Sequence, residues 1–137
     1  MKNYSDYLIC SDFDGTLHWG GIPENNIRAI ERFQVGGGRF TLCTGRKAEG
    51  FLHDDALPFP LTAPMIGLSG AQIFDLATNT ELERHFLDDN WQDLVDELIE
   101  KLPYKQRFSI VSTDEILGFE ADDRAAKAEV YADEPPM

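Results

Sequence analysis

The chain has 137 residues, of which 42% are hydrophobic and 11% aromatic, so it can bury one core and fold as an ordinary α/β protein. Its 25 acidic residues against 12 basic ones give a net charge of −13, spread along the chain, and this argues against nucleic acid or anionic membranes as partners because both need basic patches. No charged-then-apolar leader opens the chain and no apolar run approaches membrane length, so the expected location is the cytoplasm.

The first predicted element is the apolar run Tyr7-Leu8-Ile9-Cys10, a short strand, followed directly by Asp12-Phe13-Asp14-Gly15-Thr16-Leu17. In a strand, residues i and i+2 share a face, so both Asp12 and Asp14 can point into one crevice beyond its carboxyl end, where open α/β sheets bind ligands. Such a pair can divide labour: one carboxylate attacks an electrophile or holds a metal, while the other gives and takes protons. Gly15 allows a sharp turn that presents free amides to an anion, and Thr16 adds a hydroxyl. An ordinary acidic turn is the plainer use of Asp-x-Asp-Gly, but the preceding strand favours a site. A calcium loop is excluded, because Leu17-His18-Trp19-Gly20 supplies no further ligands.

Leu17 to Ile22 can form a small hairpin turned by Gly20 and Gly21. A helix then starts near Pro23-Glu24-Asn25-Asn26, with Ile27, Ile30 and Phe33 at helical spacing, and Gly36-Gly37-Gly38 stops it. No Gly-Lys-Ser/Thr follows that triplet, so it reads as a terminator and not as a phosphate loop. Arg39-Phe40-Thr41-Leu42-Cys43 reads as a second buried strand ending in Thr44-Gly45-Arg46. A threonine hydroxyl and the Gly45 amide at a helix start can hold a phosphate oxygen, and Arg46 offers a fork of donors. Helix capping is the plainer role of Thr44, and the two roles are compatible. Cys10 and Cys43, each inside an apolar strand, are expected to be buried, reduced thiols.

Residues 47–57 are expected to form the next helix, ended by Pro58 and Pro60. Pro64 to Asp75 reads as a strand and turn, equally well as a hairpin with a glycine turn. Beyond Thr78, Asp89 with Gln92 makes a capping-box signature before a helix whose apolar stripe, Trp91, Leu94, Val95, Leu98, Ile99 and Leu102, is expected to be core. Phe108 to Val111 and Ile116 to Phe119 pair as strands, and Asp122-Asp123 caps a helix-like stretch from Arg124 to Glu129. His18, His53 and His85 lack ligand spacing and read as surface or flap residues.

The strand-Asp-x-Asp-Gly-Thr-Leu segment and the strand ending in Thr44 together resemble the first and second motifs of the haloacid dehalogenase (HAD) superfamily of phosphatases. Pro64 to Asp75 is similar to the third strand and cap start of subfamily IIB, the Cof-type members, with Ser69 where these usually carry Asn. The resemblance implies a Rossmann-like parallel α/β sheet, with residues 1–77 forming part of the core and 78–137 the start of an α/β cap. It implies a Mg²⁺-dependent phosphatase acting on a small phosphorylated metabolite, with Asp12 as the nucleophile that becomes an aspartyl-phosphate and Asp14 as the general acid/base. Asp12 (carboxylate) and Asp14 (main-chain carbonyl) would hold Mg²⁺, and Gly15, Thr44, Gly45 and Arg46 the phosphoryl group.

The family also uses a Lys and a Gly-Asp-x-x-Asn-Asp loop, and neither is found in convincing form, so the resemblance covers the first half of a typical member and a truncated chain is expected. A catalytically incomplete fragment is therefore one alternative. A compact site using Lys101 or Lys105 with Asp122 and Asp123 is another. A receiver-type phosphoacceptor domain is disfavoured, because its third strand would carry an Asp where this chain has Ile66-Gly67-Leu68-Ser69.

Overall fold

The structure, a computed structural model, describes residues 3–53, 56–101, 107–111, 116–120 and 129–131. Strands and helices alternate through its first part, and the chain divides into two units, Met1–Phe86 and Leu87–Met137.

In the first unit, β1 (Leu8–Ser11) pairs in parallel with β2 (Arg39–Leu42), in register from Leu8 against Arg39 to Ser11 against Leu42. The crossover between them is α1 (Glu24–Val35). Pro23 sits just before this helix with φ already at −59°, Glu24 lies in the first turn and Arg32 in the last, so both ends suit the helix dipole. Ile30 is buried, with Ile27 and Phe33 packed beside the core. The helix stops at Gly36, whose N–H donates to the Arg32 carbonyl; Gly37 follows at φ +89°. Gly38 is needed for space, since a Cβ there would lie 2.3 Å from the Phe33 ring.

Phe40, Thr41 and Leu42 of β2 are all buried, as a strand covered on both faces requires. Its neighbour β1 is not covered in this way: Leu8 is 48% and Ile9 44% exposed. Cys10 and Cys43 are both exposed free thiols, contrary to the buried state expected of them. An apolar strand pattern reports what a strand can bury and not whether another layer covers it.

A parallel bridge between Cys43 and Ile66 continues the sheet from β2 to β3 (Met65–Gly67). Antiparallel pairing then joins β3 to β4 (Gln72–Asp75) and β4 to β5 (Thr80–Arg84). Among the described residues of 47–57 the expected helix is not formed; a single 3-10 turn, Ala48–Phe51, stands there. Gly50 falls in its middle and weakens any longer helix, while Ala48 and Phe51 are held by core burial. Its pairing to β4 keeps β5 in the first unit.

The second unit contains α2 (Trp91–Lys101) and an antiparallel set, β6 (Arg107–Val111), β7 (Ile116–Glu120) and β8 (Glu129–Tyr131). The expected pairing of β6 with β7 is present, and residues 112–115 between them lie outside the described residues. Along α2, Leu94 and Leu98 are nearly half exposed, so the stripe expected as core is only partly covered. Glu129, expected to close a helix-like stretch, opens β8 instead. Lys105, Asp122 and Asp123 lie outside the described residues, as do Leu102 and most of that stretch. Among the described residues no helix is long and apolar enough to cross a membrane.

Candidate active site

Asp12 and Thr44 leave the carboxyl ends of adjacent parallel strands, and the Cys43 N–H donates to the Ser11 carbonyl at 2.8 Å, so both side chains emerge at the same edge of the sheet. Phe13, between the two aspartates, is buried and packs edge-on against Phe51. Its anchoring leaves Asp12 and Asp14 on the exposed side of the turn that follows β1.

The Asp12 carboxylate is oriented by a neighbour: the Thr16 hydroxyl donates to Asp12 Oδ2 at 2.9 Å. Its Oδ1 accepts no hydrogen bond among the described residues. The Asp14 carboxylate is engaged at both oxygens, accepting from Arg46 Nε at 2.7 Å and from Arg46 Nη2 at 2.6 Å. The Arg46 guanidinium also lies over the Phe13 ring, 5.2 Å from its centroid. The predicted fork of donors is therefore present, but it is closed on Asp14 and not left open toward an anion.

Gly15 adopts φ +72°, the left-handed turn for which glycine is suited. Its N–H is not free as expected, because it donates to the His18 carbonyl at 3.1 Å. The turn folds tightly instead: the Thr16, Leu17 and His18 amides all return to the Phe13 carbonyl. His18 stacks on Phe13 with ring centroids 5.0 Å apart. Over residues 17–22, where a small hairpin was expected, no strand forms, and His18 bridges back to Asp14.

Thr44 is buried, and its hydroxyl oxygen accepts from the Arg46 N–H at 3.2 Å. It caps a turn and not a long helix. Among the described residues the Thr44 hydroxyl proton and the Gly45 N–H have no acceptor, which leaves two donors for an anion oxygen. The backbone of Thr44 is fixed on both sides, since its N–H donates to Ile66 and its carbonyl accepts from Ser69. Leu68, Ser69 and Gly70 hold positive φ in succession, at 50°, 55° and 104°, and this bends the chain back against Gly45.

Sequence reasoning missed the support behind this loop. Gln72 is fully buried, its Oε1 accepts from the Ala48 N–H at 3.0 Å, and its Nε2 donates to Glu49 and to Glu81. Arg84 completes the group by pairing with Glu49 and Glu81. The Gln72 amide, then Arg84, hold the Glu81 carboxyl below its ordinary value against the opposing effect of burial, and Glu81 in turn raises Arg84. The signal lay in the period of two, which puts Gln72 on the same buried face as Phe74.

For a divalent cation, the free Asp12 Oδ1 and the Asp14 main-chain carbonyl are the available donors. Both are the kind of oxygen donor that Mg²⁺ takes, since it keeps several waters and is bound by one or two carboxylates. Among the described residues no group of three or more His, Cys, Asp and Glu side chains is gathered to hold a metal. Lys101 pairs with Glu97 on its own helix.

The sequence profile of the haloacid dehalogenase-like hydrolases matches residues 9–135. Among solved structures, a haloacid dehalogenase-like hydrolase from B. subtilis superposes with a TM-score of 0.62 at 21% identity, over 80% of this chain and 38% of that one. A HAD/COF-like hydrolase from Plasmodium vivax gives 0.54 at 27% identity, over 73% of this chain and 37% of that one. A phosphatase of the haloalkanoate (HAD) superfamily from Bacteroides thetaiotaomicron gives 0.55 at 21% identity, over 69% and 35%. The chain thus spans well under half the length of these proteins. No curated protein matches it.

Proposed function

Because the chain belongs to the haloacid dehalogenase-like hydrolase family, we propose that it carries the nucleophile half of a Mg²⁺-dependent phosphomonoesterase site acting on a small phosphorylated metabolite. The observation that carries this reading is the unlike treatment of the two carboxylates. Asp12 keeps one oxygen free while Thr16 fixes the other; Asp14 is gripped at both. A free, oriented oxygen suits attack, and the Arg46 fork fixes where the Asp14 carboxylate stands beside it.

In this mechanism Asp12 Oδ1 attacks phosphorus in line, the phosphorus–oxygen bond to the leaving alcohol breaks, and an aspartyl-phosphate forms. Asp14 gives a proton to the leaving oxygen and then takes one from the water that hydrolyses the intermediate, steps that require Arg46 to release one of its two oxygens. Thr44 Oγ1–H and Gly45 N–H hold the phosphoryl oxygens. Gly15 shapes the turn without donating, and Arg46 positions Asp14. Mg²⁺ at Asp12 and the Asp14 carbonyl would supply charge neutralisation for the phosphoryl group.

A second reading, a unit that binds phosphate without turning it over, is favoured by the exposure of Leu8 and Ile9, since parallel strands are ordinarily covered on both faces. Hydrolysis of p-nitrophenyl phosphate at millimolar Mg²⁺, by the chain and by Asp12→Asn, tests both. Turnover lost in Asp12→Asn supports the first reading, and substantial turnover surviving that change overturns it. Thr44-dependent phosphate binding with no hydrolysis supports the second.

A further inference from the structure

Trp19 is 76% exposed, and no part of the mechanism above uses it. It is the first residue beyond the bridge that pins His18 to Asp14, so it stands at the rim of the carboxylate pair. The indole Cζ2 lies 3.9 Å from the point where a Cβ on Gly15 would be, which places the ring over the nucleophile turn. Its backbone is set by a tight turn: the Trp19 N–H donates to the Gly21 carbonyl at 3.0 Å, with Gly20 at φ +71° and Gly21 at φ +147°. Two glycines in conformations that other residues rarely adopt thus hold the largest apolar side chain out in solvent, where its burial energy is not realised.

We infer that Trp19 is a stacking platform for the leaving group, and that the phosphate ester taken by this site carries a flat, unsaturated ring. The inference rests on the phosphoryl-site reading above and adds the substrate class. An indole face gains from another π-face in offset-stacked or edge-to-face contact.

The test compares two non-hydrolysable probes of similar size, phenylphosphonate and propylphosphonate, binding to the full chain in millimolar Mg²⁺ by calorimetry. Phenylphosphonate is expected to bind about fivefold or more tightly than propylphosphonate. Trp19→Ala is expected to bring that ratio close to one by weakening phenylphosphonate, and Trp19→Phe to keep part of it. In a Trp91→Phe chain, where Trp19 is the remaining tryptophan, phenylphosphonate is expected to change the emission excited at the indole red edge. Thr44-dependent binding whose ring preference persists in Trp19→Ala overturns the inference alone. Absence of binding, or binding indifferent to Thr44→Val, overturns the phosphoryl-site reading and the inference with it.

Discussion

Arg46 and Asp14 are 32 residues apart in the chain, yet the Arg46 guanidinium closes on both oxygens of the Asp14 carboxylate, at 2.7 and 2.6 Å. The pair ties the turn after β1 to the turn after β2, so the two motifs act as one rim. Phe13 beneath the guanidinium limits how far Arg46 can swing.

Replacing Arg46 with Ala is expected to free Asp14 and loosen this tie. The pair is partly exposed, so a double-mutant cycle with Asp14→Asn in urea should give a coupling of about 1 kcal/mol, the upper end for surface pairs because the contact is bidentate. Added salt should shrink it. Arg46→Lys should recover little of the coupling, since an ammonium cannot reproduce the planar fork. A coupling indistinguishable from zero at low salt would show that the pair does not join the two turns.

Gln72→Leu keeps the volume of a fully buried side chain but removes its amide. The Ala48 N–H loses its acceptor, and Glu49 and Glu81 lose a donor. The expected cost is about 1–3 kcal/mol, mainly from the buried Ala48 N–H left without an acceptor, since Glu49 and Glu81 keep Arg84. Chemical denaturation measures it, and a loss below ~0.5 kcal/mol would contradict the role assigned to Gln72.

Acid sensitivity should trace in part to Glu81. Its carboxyl is held below the ordinary value of 4.5, first by Gln72 and then by Arg84. A depressed folded-state value means the stabilisation is fully present above the unfolded-state value and is lost as pH falls from there through the folded one. Wild type should therefore lose more stability than Glu81→Gln as pH drops below 4.5. Parallel acid titrations of the two chains would contradict this. The raised Arg84 contributes no pH dependence in the accessible range, because it stays charged throughout.

How much of this was legible in advance differs from residue to residue. The Asp12-x-Asp14 pair, the Thr44 turn, α1 and the strands β1 and β2 follow from period, capping chemistry and glycine placement, all of which act over a few residues. Where a helix was expected from residue 47, a single 3-10 turn, Ala48–Phe51, stands instead: Gly50 weakens a longer helix, and the turn is fixed by burial of Ala48 and Phe51 against residues distant in sequence. The exposure of Cys10 and Cys43 was equally hidden, since an apolar strand looks the same whether or not another layer covers it.

The sequence by itself determined which side chains could do chemistry and placed Asp12, Asp14 and Thr44 at strand ends, because alternation and turn formation are local. Only the tertiary structure decided what those groups are free to do. It closed Arg46 on Asp14, returned the Gly15 amide to His18, left one Asp12 oxygen open, and set Gln72 behind the Thr44 loop. Hydrogen-bond partners distant in sequence are chosen by packing, and no local pattern encodes them.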